Sequence, residues 1–207
     1  MKLKLSYCMM LLMLLTFSFS CSKQQKVVRK STNKKRILIE KLARDYRKVS
    51  KEEINASYKA YDELLKSKNR KTIVSLSKYF DDSRTAISMR AVSHSTLGDT
   101  CFEIIEMILF NFPKGYAYGY NRRGKDGKSH QNPYYSHEKL FTKDNFPQWL
   151  NARKDKSLLD MQIEVLEYVI NAEKKIGFRS IADKNNYLKL LENHLQKLQL
   201  KLNVKSQ

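Results

Sequence analysis

Residues 96–110 read TLGDTCFEIIEMILF, and this stretch decides the fold class. Cys101, Ile104, Ile105, Ile108 and Leu109 recur at the spacing of one face of a 3.6-residue helix, too strongly apolar for a surface segment. Thr96 and Asp99 suit a helix start, where a hydroxyl and a carboxylate can take up free backbone amides. Pro113 closes the segment, because proline lacks the amide that a further turn requires.

The same punctuation recurs along the chain. Ser50 to Glu53 (SKEE), Ser157 to Asp160 (SLLD) and Ser180 to Asp183 (SIAD) carry the three-residue spacing of a capping box, in which side chain and backbone satisfy each other. Before the first box, Ile39, Leu42, Ala43 and Tyr46 share a helical face; after it, Ile54, Tyr58, Tyr61 and Leu65 repeat at i, i+4, i+7, i+11. A short helix is expected over 72–80, and another, capped by Asp82 or Ser83, through Val92. Pro147 suits the first turn of a helix holding Trp149 and Leu150. Met161, Val165, Leu166, Val169 and Ile170 form an inward stripe that stops at Gly177. Leu188, Leu191, Leu195, Leu198 and Leu202 then alternate spacings of three and four, a seam that serves packing within the domain and favours a monomer.

The expectation is a mainly α, single domain of packed antiparallel helices, about seven in number, spanning 37–207. One segment breaks it. All three prolines and four of the six glycines lie between 113 and 147. Among them stand Tyr116, Tyr118, Tyr120, Tyr134 and Tyr135, with Arg122, Arg123, Lys125 and Lys128. Alternation at 116–120 and the turn-forming run RGKDG at 123–127 indicate a long aromatic and basic loop, or a short hairpin, inserted at 113–145. Tyrosine and arginine dominate protein-binding hot spots, so Tyr116, Tyr118, Tyr120, Arg122, Arg123 and Tyr135 are the expected partner contacts. The bland alternative is that Tyr116, Tyr118 and Tyr134 pin the loop to the helices while its cations are solvated.

The 207 residues hold 40 Lys and Arg against 21 Asp and Glu, a net charge of +19 that invites a nucleic-acid partner. The N-terminus argues otherwise. Lys2 and Lys4 precede an apolar run from Leu5 to Phe19, shorter than the roughly 20 residues that span a bilayer, and the pattern is that of an export signal over 1–20. The following FSFSCS resembles the lipobox of bacterial lipoproteins, departing from it at Ser18 and Phe19. The resemblance implies cleavage before Cys21, lipidation of that cysteine, and, with Ser22 next, sorting to an outer membrane facing the periplasm. Residues 21–36 then form a basic tether. Cys21 to Ser50 carries 11 Lys and Arg against 2 Asp and Glu, so much of the charge would lie beside anionic headgroups.

Chemistry-bearing residues are sparse. The sequence has no HExxH, paired CxxC, Walker or GxGxxG motif. With Cys8 removed and Cys21 acylated, Cys101 stands alone in an apolar helix, where a buried thiol is expected despite His94 and Asp99 nearby. His130, His137 and Glu138 make the weakest candidate, an enzyme of unrecognised type, without geometric constraint on a metal. His194 is expected to be half-exposed. Glu103, Glu106, Glu164 and Glu167 read as solvated, with Glu164 or Glu167 available to the basic loop. No metal and no cofactor is expected.

Two further resemblances concern the mature chain. LLKSKNRKTIVSLSKYFDD followed by LGDTCFEIIEMI resembles a degenerate HEAT-like helical hairpin over about residues 60–112, without a second copy. LGDTCFEII, YNRRGKDG, WLNARKDKSLLDMQIEVLEYVI and EKKIGF together resemble uncharacterised helical bacterial exported proteins, some of which accompany antibacterial toxin systems as immunity factors. That resemblance implies a non-enzymatic, lipid-anchored envelope protein that binds or inhibits a protein ligand. The competing expectation is a protein that binds peptidoglycan or lipopolysaccharide through its basic surface. Mass spectrometry of membrane-purified protein is expected to find an acylated N-terminal Cys21; an unmodified Cys21, or a different mature start, contradicts the lipobox reading.

Overall fold

Burial of the 96–110 stretch organises everything around it. The computed structural model describes residues 33–45, 47–88, 95–116, 121–131 and 140–205. Helix α1 covers 33–42, α2 Lys51–Lys66, α3 Arg70–Ser77 and α4 Leu97–Phe110. Farther on come α5 Phe146–Asn151, α6 Leu158–Ile176, α7 Ile181–Lys184, a π-helical turn Asn185–Lys189, and α8 Leu190–Lys205. The chain is mainly helical, as its periodicity implies. No helix among the described residues is long and apolar enough to cross a membrane.

Helix α4 is the central post. Leu97, Cys101, Ile104, Ile105, Ile108 and Leu109 are fully buried, and α2, α3 and α6 pack around them. Its start is a reciprocal cap: Asp99 N–H donates to Thr96 Oγ1 at 3.1 Å, and Thr96 N–H donates to the Asp99 carboxylate at 3.2 Å. Equivalent reciprocal caps open α2 at Ser50 and Glu53 and α6 at Ser157 and Asp160. Losing such a cap costs about 1 kcal/mol. At Ser180 only the Asp183 amide is capped.

Glu103 and Glu106 are buried rather than solvated, although Asp99 and Met107 of the same helix remain exposed. Glu103 accepts from Tyr61 Oη at 2.7 Å and from Ser88 Oγ at 2.6 Å. Two donors from separate segments satisfy a carboxylate that would otherwise be costly inside. Glu164 is also spent locally, gripped by the Arg153 guanidinium and by Lys156 Nζ at 2.8 Å. Those bonds hold its carboxyl below the usual glutamate value.

The helix expected after Asp82 is absent from the described part of that segment. Thr85–Ala86 (β1) instead pairs antiparallel with Ser95–Thr96 (β2), Thr85 opposite Thr96. Tertiary partners take the backbone groups a helix would need: Ile87 N–H donates to Leu42 O, Leu97 N–H to Arg84 O, and Gly98 N–H to Asp82 O. Asp82 is itself clasped by Arg84 and by the Arg84 amide. At the other boundary, residues 33–36, expected in the basic tether, are helical.

Phe80, Phe102, Phe141, Phe146 and Trp149 form an aromatic cluster joining α4 to α5, with Phe141 and Trp149 centroids 4.7 Å apart. The Arg153 guanidinium covers the Trp149 ring at 4.2 Å. The leucine seam of the π-helical turn and α8 packs on α6, with Leu188, Leu191 and Leu198 buried. Cys101 is a free, buried thiol whose burial pushes its pKa up to about 12, which keeps it in the unreactive thiol form.

Candidate functional site

The inserted segment is a hairpin, and it is docked on the C-terminal end of α6. Asn121–Arg123 (β3) and Ser129–Gln131 (β4) pair antiparallel with Arg122 opposite His130, and the turn runs through Gly124–Lys128. Two three-residue strands are not stable alone in water. The anchor is a side chain that the strand alternation directs inward.

Arg122 is that side chain. Its Nε and Nη2 lie 2.8 and 2.5 Å from Glu173 Oε2, and Nη1 donates to Gly177 O at 2.8 Å. Nη2 also reaches Glu173 O at 3.2 Å. Phe178 and Tyr187 flank the guanidinium at 4.9 and 5.0 Å. On the far side of the carboxylate, Tyr116 Oη donates to Glu173 Oε1 at 2.9 Å. Both side chains of the ion pair are almost wholly removed from solvent, at 3% and 0% exposure. Burial pushes the Glu173 carboxyl upward, and the Arg122 charge with the Arg122 and Tyr116 hydrogen bonds pulls it back.

This arrangement also caps α6. The last carbonyls of a helix have no partner within it. Here Ile176 O accepts from Lys125 N–H at 3.2 Å, while Glu173 O and Gly177 O accept from Arg122. A cation at this end also matches the negative pole of the helix. The approach is close enough to require glycine twice. A Cβ on Gly124 would stand 2.9 Å from Ile176 O, and Gly177 takes φ +70 with the Lys125 side chain against it.

Tyr116 and Arg122 are therefore interior residues, not surface contacts: Tyr116 is 4% exposed and Arg122 6%. They pin the insertion to the helices, as the bland alternative has it for Tyr116. Arg123 is exposed, with Lys125 and Lys128 beside it in the same hairpin. These three cations make no ion pair among the described residues. Asp126, between them, is bonded to His130 Nε2 at 2.9 Å, which holds its carboxyl below the usual aspartate range. Tyr118, Tyr120, Tyr134, Tyr135, His94, His137, Glu138 and the lipidation candidate Cys21 lie outside the described residues. The expected pairing of the loop with Glu164 or Glu167 gives way to Glu173. Its signal was present: Glu173 continues the inward stripe of Leu166, Val169 and Ile170, and a carboxylate on that face requires hydrogen-bond donors.

Among the described residues no group of three or more His, Cys, Asp or Glu is placed to hold a metal ion. His194, half-buried, faces Asn111 at 3.4 Å. Comparison with protein-family models, with curated proteins and with solved structures yields no match.

Truncating one partner of a buried, hydrogen-bonded ion pair costs about 3–5 kcal/mol, because the other charge is stranded. Arg122→Met is expected to destabilise by that amount in urea unfolding, and Glu173→Leu comparably. The double variant is expected to be no worse than the weaker single variant. Additive losses contradict the coupling.

Proposed function

We propose that this chain is a non-enzymatic, lipid-anchored protein of the cell envelope, held to a membrane through Cys21, that binds and restrains a protein ligand in the manner of an immunity factor. The observation supporting this reading is the division of charge across the hairpin. Arg122 is consumed inside by Glu173, while Arg123, Lys125 and Lys128 are exposed on a backbone fixed to α6. They make no side-chain ion pair among the described residues, Lys128 sharing only the field of the nearby Asp126. Cations held on a pre-organised strand pair steer and orient an acidic partner at little ordering cost. Arg123 is the foremost contact. The tyrosines outside the described residues, Tyr118, Tyr120 and Tyr135, flank it in sequence and would supply apolar contact area.

An export signal also accounts for a strongly basic chain without a nucleic-acid partner, since its ligand would meet it outside the cytoplasm. A polymer-binding role would use the same exposed cations differently. Peptidoglycan or lipopolysaccharide presents repeated anionic groups, and attraction to them is screened within about 10 Å at 0.1 M salt.

Affinity purification from detergent-solubilised native envelope is expected to recover a stoichiometric protein complex that survives 0.3 M salt as its test condition (about twice physiological ionic strength). Arg123→Glu/Lys125→Glu/Lys128→Glu is expected to abolish it while leaving the melting temperature unchanged. Retention solely on purified cell wall, lost as salt rises, overturns the protein-ligand reading in favour of the polymer.

A further inference from the structure

Away from the hairpin, the first turn of α6 and the last turns of α8 border an open groove of about 540 Å³. Small-molecule sites span about 300–1,000 Å³. Its lining is aliphatic: Leu158 and Leu159 from α6, and Leu198, Leu200 and Val204 from α8. Leu200 and Val204 are 58% and 75% exposed, so this apolar surface is not used by the fold. Lys68 and Lys201 stand at the groove, and none of its lining residues is a carboxylate. Lys68 Nζ is hydrogen-bonded to the neutral Asn111 side chain at 2.8 Å, which leaves its charge uncompensated.

We propose that this groove binds a single long acyl chain bearing an anionic head, a free anionic amphiphile such as a monoalkyl phosphate or fatty acid, with the chain on the leucines and the head between Lys68 and Lys201. Two features select this occupant over a protein segment. The lining has no aromatic, methionine or arginine, the residues that anchor protein partners. Its polar lining residue other than the lysines, Gln162, is already engaged through its amide nitrogen with Ile108 O at 2.7 Å. What remains is a hydrocarbon surface with point cations, complementary to an anionic amphiphile. The field of these cations is felt nearby: burial lowers the pKa of His194, Asn111 opposes this, and Lys201, Lys197 and Lys68 lower it further.

The test is calorimetric titration of the folded chain with dodecyl phosphate below its micelle concentration. Saturable binding at one site is expected, at least about tenfold weaker for Lys68→Glu/Lys201→Glu, because a charge pair is lost on one side. Leu200→Ser/Val204→Ser, altering exposed positions and monitored for fold by circular dichroism, is expected to weaken it similarly. Inorganic phosphate and neutral dodecyl maltoside are expected not to saturate the site. Absence of saturation by dodecyl phosphate, equal affinity for the maltoside, unchanged affinity in both double variants, or adsorption to phosphatidylglycerol vesicles alone overturns the proposal. Failure of the hairpin triple variant to lose its partner leaves this result untouched, since the two sites share no residue.

Discussion

The contact between Arg122 and Glu173 does three things at once. It neutralises a carboxylate on the core face of α6, supplies donors to the end of that helix, and fixes a hairpin too short to stand alone. A buried ion pair is weak grounds for net stability, because desolvation offsets much of its attraction. Its value here is in orientation. With Tyr116 closing the other carboxylate oxygen and Gly124 admitting close backbone approach, the hairpin has one docked pose. Register follows from the same contact, since sliding β3 by one residue would expose Arg122 and bury Arg123.

The helical frame was largely legible. Capping boxes at Ser50, Ser157 and the Thr96 start all form reciprocal caps, because these signals are local and depend on few distant contacts. The segment after Asp82 was misread for the converse reason. Its backbone groups bond to Leu42, to strand β2 and to the first residues of α4, partners whose proximity no local pattern announces. Glu103 and Glu106 were misplaced because an acidic residue on a capped helix is ordinarily solvated, whereas packing around α4 buries all of it but Asp99, Met107 and part of Phe102. At the hairpin the turn was readable from RGKDG, yet the inward or outward sense of each strand residue depended on where α6 ends.

That distinction sharpens the meaning of the basic composition. Excess charge in the sequence is an undifferentiated quantity. In the fold it divides into Arg122, spent on packing; Arg153, held by Glu164 and stacked on Trp149; and cations such as Arg123, Lys125 and Lys201 that make no ion pair among the described residues. Only the last group is free to act on a partner. The hairpin and the α6–α8 groove each combine such cations with a rigid or apolar setting, which is what distinguishes them from ordinary solvated lysines.

The account rests on the hairpin being as firmly held as the helix it caps, and native-state hydrogen exchange measures this directly. The Lys125 amide, which donates to Ile176 O, is predicted to exchange only with the opening that releases the last turns of α6, giving the same free energy as the amides there. A Lys125 amide that exchanges at the rate of a solvated loop while those helix amides stay protected would contradict it.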